Sequence, residues 1–208
     1  MNARPDPHTA PPTVLALHYQ NETLHPDGRI RVGLAAGDPV RDRVIAAASA
    51  LLAGARQRGW PIVHVRIAFR PDYADCPRNT PIFRRTVELG AVRDGEWGAD
   101  FLPELAPRAS ANEHVVTHTR ISAFAGTPVE QLMRLIGTQR LLVAGVATHS
   151  VVEGTVRDAA DRGFDVLVAA DACAAADRAV HDAALASMAL IATITTVADG
   201  FAALEAAA

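Results

Sequence analysis

Short apolar runs alternate with longer amphipathic stretches along this chain, and that alternation restricts the fold more than any other feature. The runs predicted to be strands are Val14–Leu17, Trp60–Val65, His114–Thr117, Leu141–Ala144, Val166–Ala169 and Ile194–Val197. Short apolar strands separated by helices are typical of a parallel sheet that is buried on both faces. The sequence therefore predicts six parallel strands covered by helices on both sides.

Start and stop signals place helices between these strands. Asp38-Pro39 combines an N-cap with proline at the first helical position, and Gly59 ends the apolar face that follows. Further helices are predicted to begin at the capping-box pattern Thr127-Pro128-Val129-Glu130, after Gly145 and at Val180. Strands and helices together predict an α/β fold of the three-layer, Rossmann-like kind.

Length and composition exclude several classes of protein. The 208 residues suit one domain, predicted over 13–208, and the proline-rich residues 1–12 are predicted to be a disordered tail without the apolar core of a signal peptide. No apolar run is as long as a membrane span, and no basic stripe suggests nucleic acid, so neither is expected as a partner. Two cysteines in the chain are typical of a reducing cytoplasm.

The segment 67–107 is rich in proline, glycine and arginine and is long for a loop. It is predicted to carry short helices and to cover a site or an oligomer contact.

Histidines follow the ends of several predicted elements. His18 comes directly after the first strand, His118 after the third, and His149 lies in the turn after the fourth. All three belong to the side of the sheet where open α/β folds bind ligands. His25 and His181 are instead expected at surface positions.

Several motifs together resemble those of a known family. They are Leu15-Ala16-Leu17-His18-Tyr19-Gln20-Asn21, Arg120-Ile121-Ser122-Ala123-Phe124, the segment from Gly145-Val146-Ala147-Thr148-His149-Ser150 to Ala159, and Asp171-Ala172-Cys173. On these residues the chain resembles the isochorismatase-like (cysteine hydrolase) superfamily. That superfamily includes nicotinamidases, carbamoylsarcosine and biuret amidohydrolases, and isochorismatases. The resemblance extends from Thr13 to about Val197 and implies dimers or tetramers.

The resemblance also implies a catalytic Asp, Lys and Cys, and this chain has none of them in place. The corresponding positions are His18, His118 and Val151, and the chain contains no lysine at all. A valine cannot form a thioester intermediate. The family's cis peptide is expected between Val146 and Ala147, where it helps to aim backbone N–H groups into the site. Those N–H groups, near Val151, would still stabilise an oxyanion or a carboxylate.

Three interpretations of the histidines stay open. His18 and His118 could simply hydrogen-bond to each other in a retired site. They could instead form an acid/base pair that shares about one proton near pH 7, because like charges lower one pKa. With His149, they could also hold a Zn²⁺ ion that activates water; no other cofactor is expected. His149 matches a histidine that true isochorismatases carry two residues before the lost cysteine.

The leading hypothesis is a hydrolase that acts without covalent catalysis on a small carboxylate, amide or enol-ether substrate. His18 and His118 would be the acid/base pair, and the backbone near Val151 the oxyanion site. The alternative is a catalytically inactive relative that binds a small ligand or serves as a partner subunit. The predicted substrate-binding residues are Gln20, Arg66, Arg120, Phe124, His149 and Ser150, with Arg70 and Trp97 as further candidates.

Overall fold

A computed structural model describes residues 10–30 and 38–206, and its centre is a six-stranded parallel sheet. The strand order is β3-β2-β1-β4-β5-β6. The strands are β1 (Thr13–Leu17), β2 (Ile62–Ile67), β3 (Glu113–His118), β4 (Arg140–Gly145), β5 (Asp165–Ala169) and β6 (Thr193–Thr195). The predicted α/β fold with a parallel sheet is confirmed. The tail predicted at 1–12 falls largely outside the described residues.

Helices connect and cover these strands. They are α1 (Asn21–Leu24), α2 (Pro39–Arg58), α3 (Pro81–Leu89), α4 (Val129–Ile136), α5 (Glu153–Asp161), α6 (Arg178–Met188) and α7 (Val197–Ala206). As predicted, Asp38 caps α2 by accepting a hydrogen bond from the Val40 amide at 2.8 Å. Within the described ranges, none of the helices combines the length and the hydrophobicity that crossing a membrane requires.

Two local predictions were wrong. Val197 was placed in the last strand, yet it begins α7, because Thr196 and Asp199 cap that helix reciprocally through hydrogen bonds of 2.9 and 3.1 Å. The capping box at Thr127 is only half formed: its hydroxyl accepts from the Val129 amide at 3.3 Å, whereas Glu130 pairs with Arg134 and Arg162.

From β1 the chain first builds β2 and β3 on one side of the sheet, and then returns to build β4, β5 and β6 on the other side. The strand order therefore reverses between β1 and β4, and a crevice forms at the carboxyl ends of these two strands. Leu17 pairs with Gly145 at this end of the sheet. A Cβ at position 145 would lie only 2.3 Å from the Leu17 carbonyl oxygen, so this close approach requires glycine. His18 and the turn after β4 therefore stand side by side.

The long middle segment has a small core of its own. Its apolar side chains pack together apart from the main core, as the cluster of Phe69, Tyr73, Cys76, Phe83, Ala91 and Val92. Burial of this cluster explains how a segment with little regular structure holds one conformation.

A buried ionic network lies at the start of β3, far from the crevice. Glu113 accepts hydrogen bonds from Arg56 at 2.8 and 2.9 Å, and one from the Arg108 amide at 2.9 Å. It also pairs with His64 at 2.9 Å. Burial alone would raise the pKa of Glu113, but these donors hold it at about 2. The ion pair therefore remains charged over the whole neutral range.

Candidate active site

His18 follows β1 in an uncommon backbone conformation, with a φ of 56°. Three backbone contacts hold it there. Its amide donates to Val65 at 2.9 Å, and its carbonyl accepts from the Thr23 hydroxyl at 2.7 Å and from the Gln20 amide at 2.8 Å. The left-handed turn directs the chain away from the sheet and leaves the imidazole, 8% exposed, in the crevice.

His18 and His118 form a hydrogen bond through their Nε2 atoms, and their ring centroids are 4.7 Å apart. His118 also has its Nδ1 atom 3.2 Å from the carbonyl oxygen of Ser122. Because a carbonyl can only accept, Nδ1 of His118 carries a proton and its Nε2 is the acceptor in the neutral ring. Nε2 of His18 is therefore the donor, and the lone pair of neutral His18 is on Nδ1.

Burial favours the neutral form of both imidazoles. Desolvation, reinforced by the neighbouring His118, holds the pKa of His18 well below its usual value. Desolvation also lowers the pKa of His118 to about 4, although its bond to the Ser122 carbonyl acts in the opposite direction. With the pKa of both rings lowered, the neutral form of each is favoured near pH 7. The expectation that the pair shares about one proton at that pH stays a prediction.

Ser122 is anchored by a polar network. Its hydroxyl donates to Asp158 on α5 at 2.6 Å, and Asp158 also receives a hydrogen bond from Arg162. Arg162 in turn donates to Glu130 on α4 at 3.0 Å. The carbonyl that orients His118 is thus held to two helices.

The turn after β4 forms the opposite side of the crevice. Its Val146–Ala147 peptide bond is cis, and residues Thr148–Val152 form one π-helical turn that leads into α5. The Thr148 amide donates to the Ala174 carbonyl at 2.8 Å, and its hydroxyl bonds to His181 at 2.8 Å. His181, expected at the surface, is therefore buried, because it is the partner of Thr148.

A cavity of about 250 Å³ lies between these two sides. Most of its wall is apolar. Its lining residues are His18, Thr23, Ile30, Ile67, Ile82, Phe83, Thr86, Arg120, Ile121, Val146, Ala147, His149, Ser150, Val151 and Ala176. His118 lies behind His18, against which it packs.

The predicted site residues divide into two groups. His18, Ala147, Val151, Arg120, His149 and Ser150 line the cavity. Gln20, Arg66 and Phe124 do not, and for these three the prediction is corrected. The Gln20 amide group is used by the backbone of Ile67 and Ala99. Arg66 pairs with Asp94, and Phe124 stacks on Phe164.

The two further candidates also lie elsewhere. Arg70 pairs with Asp72 on the surface, and Trp97 is half-exposed with its ring against His25.

Sequence reasoning missed the wall that α3 contributes. Ile82, Phe83 and Thr86 lie on this helix and face the cavity. The available signal was Pro81, which begins a short amphipathic stretch within the segment predicted to cover a site.

The structure does not bring the three histidines of the proposed zinc site together. In the ranges 10–30 and 38–206, no three His, Cys, Asp or Glu side chains are grouped so that they could hold a metal ion. His149 is exposed at the edge of the cavity, away from the buried pair. The interpretation of His18, His118 and His149 as a Zn²⁺ site gains no support from this arrangement and stays a prediction.

Both cysteines are buried, and neither lines the cavity. Burial raises the pKa of Cys173 to about 12, which disfavours a thiolate there.

Comparison with known proteins adds an independent observation. The model of the isochorismatase domain matches residues 13–199. The isochorismatase family protein YecD of Escherichia coli O157:H7 is 30% identical over 154 residues, which cover 71% of this chain and 76% of that protein. Ureidoacrylate amidohydrolase RutB of Methylobacterium radiotolerans is 28% identical over 205 residues, covering 89% of this chain and 77% of RutB.

A solved structure shows the same architecture. The crystal structure of an isochorismatase family protein from Desulfovibrio vulgaris superposes with a TM-score of 0.82 at 30% identity. The match covers 94% of this chain and 99% of that one.

Proposed function

This chain belongs to the isochorismatase family, and we propose on that premise that it hydrolyses a small substrate with a carboxylate, amide or enol-ether group. The observation that carries the proposal is the hydrogen bond between His18 and His118, with His18 lining the cavity opposite the turn after β4. The similarity to an amidohydrolase over 89% of the chain supports an amide as the group that is cleaved.

Water is the nucleophile in the proposed reaction. By the resemblance, Val151 corresponds to the position at which cysteine hydrolases carry their thiol, and both cysteines of this chain lie outside the cavity. The reaction then needs a base that removes a proton from water.

His18 supplies that base. Its Nε2 is engaged with His118, so Nδ1 is the nitrogen left to accept a proton from water. The imidazolium that forms donates a stronger Nε2–H hydrogen bond to neutral His118. When the tetrahedral intermediate collapses, Nδ1 returns the proton to the leaving group, and His18 is neutral again.

The turn after β4 stabilises the developing negative charge. The amides of Ser150 and Val152 donate to the Ala147 carbonyl at 3.2 and 3.4 Å. The proposed donor to the anion is therefore the Val151 amide between them, at the cavity wall. Arg120 is at the exposed edge of the cavity. Its Nη1 is fixed by the carbonyl and hydroxyl oxygens of Thr119, both at 2.8 Å. Its remaining N–H groups would receive a substrate carboxylate.

The test is hydrolysis of a panel of small amides and enol ethers by the wild type and by single variants. His18→Ala should lower kcat roughly 100-fold or more, since it removes the base. His118→Ala should cause a smaller loss. His114→Ala serves as a control on the same strand, away from the cavity. Wild-type activity in both of the first two variants would show that the assignment is wrong.

The second candidate is an inactive relative that binds a small ligand, and one observation favours it. By the resemblance, the positions of the family's Asp, Lys and Cys correspond to His18, His118 and Val151, and none of these residues matches the triad. Crystals soaked with small carboxylates would separate the two candidates. An occupied cavity, together with no turnover of any panel member, would support the binder.

A further inference from the structure

We infer that the substrate joins its labile polar group to an apolar body, a branched aliphatic chain or a single ring, and that α3 selects this body. The inference rests on the proposed function for the labile group, but it concerns the rest of the molecule. It follows from the composition of the cavity wall.

Hydrocarbon makes up most of that wall, and it comes from every element around the cavity. The residues are Ile67 at the end of β2, Ile82 and Phe83 on α3, Ile121 after β3, and Val146 and Val151 in the turn after β4. Phe83 and Val151 are buried, so the apolar surface continues into the depth of the cavity. A polar body placed there would lose its hydration over a surface that largely cannot replace it.

The two threonine side chains in the wall offer no hydrogen-bond donor to a polar body. The Thr23 hydroxyl donates to the His18 carbonyl at 2.7 Å, and the Thr86 hydroxyl donates to the Ile82 carbonyl at 3.0 Å. Both protons are therefore committed to the backbone. No aspartate or glutamate is present among the lining residues that the structure describes, so a cationic body would find no partner.

The size of the cavity limits the body further. Its volume is about 250 Å³, and an apolar protein cavity of about 150 Å³ accommodates benzene. A ring or a branched chain of this size, with its carbonyl group, therefore fits. Each methylene buried against such a wall improves binding about fourfold.

Two carboxylates of nearly identical shape test this directly. The ions 4-methylpentanoate and ureidoacetate share the same branched skeleton, with methyl and methylene groups in one where the other has the urea nitrogens and oxygen. Calorimetric titration of the full chain should give a dissociation constant roughly 10-fold lower or more for 4-methylpentanoate. Equal affinities, tighter binding of ureidoacetate, or no binding of either ion at millimolar concentrations would overturn the inference.

Variants identify α3 as the selecting element. Ile82 is 46% exposed, so Ile82→Asn should fold, and it should reduce the preference for 4-methylpentanoate at least threefold. Ile191→Asn, at a residue 39% exposed and outside the cavity, is the matched control and should leave the preference unchanged. An unchanged preference in Ile82→Asn would remove α3 from the inference. The ion 4-methylpentanoate has no hydrolysable bond, so its binding does not depend on turnover, and failure to detect hydrolysis of the amide and enol-ether panel would affect only the proposed function.

Discussion

The Nδ1 atom of His118 lies 3.2 Å from the carbonyl oxygen of Ser122, and this contact sets the direction of the hydrogen bond between the two imidazoles. With its proton on Nδ1, His118 can only accept at Nε2, so His18 donates and keeps its lone pair on Nδ1. A single backbone carbonyl thus leaves the lone pair of His18 on Nδ1, as the proposed role of a base requires.

Nuclear magnetic resonance should detect this arrangement. In protein labelled with ¹⁵N-histidine at pH 7, His118 is expected as the neutral Nδ1–H tautomer and His18 as the neutral Nε2–H tautomer. Imidazole ¹⁵N shifts distinguish both tautomers from an imidazolium. An imidazolium in either ring at pH 7, or the Nε2–H tautomer in His118, would contradict the assignment.

The pH dependence of kcat/KM should reflect a base that is neutral over an unusually wide range. Because desolvation lowers both pKa values, the active neutral form persists as the pH falls below 6.5. Activity should therefore be constant from pH 8 to pH 6.5 and fall only in more acidic solution, with an apparent pKa well below 6.5 that belongs to the coupled pair. A midpoint at or above 6.5 would mean that the rings are not desolvated during catalysis.

Val151 should contribute its backbone and its packing, but no side-chain chemistry. Val151→Ala removes two methyl groups from a residue that is 1% exposed, so the free energy of unfolding should fall by about 2 kcal/mol. The value of kcat should change less than about threefold, since the N–H group remains. Urea titration and initial rates measure the two effects. A large drop in kcat without a loss of stability would give the side chain a direct role.

The network at Glu113 should stabilise the fold without affecting catalysis. Glu113 begins β3 and His118 ends it, so the two residues are separated by about 17 Å of strand. Glu113→Gln leaves the guanidinium of Arg56, whose side chain is 17% exposed, without its charged partner. The free energy of unfolding should fall by about 3 kcal/mol. At temperatures below the lowered midpoint of thermal unfolding, kcat should be unchanged. The control is Glu88→Gln, which makes the same change at an exposed residue. If stability were unaffected, the ion pair would have no net role.

The strands of the sheet could be predicted from the sequence because each is a short apolar run that is recognisable without knowing its partners. Leu15 and Val143, for example, are fully buried within short apolar runs, and such runs have few alternatives to a strand in a parallel sheet. The neighbourhood of His18 and the turn after β4 followed from the same reasoning, since both come at carboxyl ends of strands. Val197 was assigned incorrectly because its apolar character outweighed the cap that Thr196 and Asp199 form around it.

Side-chain directions were harder to predict than the positions of elements. Gln20 and Phe124 lie close in sequence to site residues, but they point into the backbone of β2 and into the core. His181 looked like a surface residue because its partner, Thr148, is 33 positions away. The wall from α3 depends on how an irregular segment folds over the crevice, and no periodic pattern encodes that.

The strand order has a consequence for how the chain could be divided. Strands β1, β2 and β3, which are contiguous in sequence, carry both imidazoles and the wall from α3, whereas β4, β5 and β6 carry the turn with its amide donors. Within the sheet the two halves meet where β1 pairs with β4, at a close approach that Gly145 permits. Outside the sheet, α2 of the first half packs on α7 of the second, and Arg58 pairs with Glu205. A chain cut at the exposed Gly126 would therefore separate the half with the proposed base from the half with the proposed anion site. Recovery of activity on mixing the two fragments would then report reassembly of the β1–β4 pairing together with the helix contacts around it.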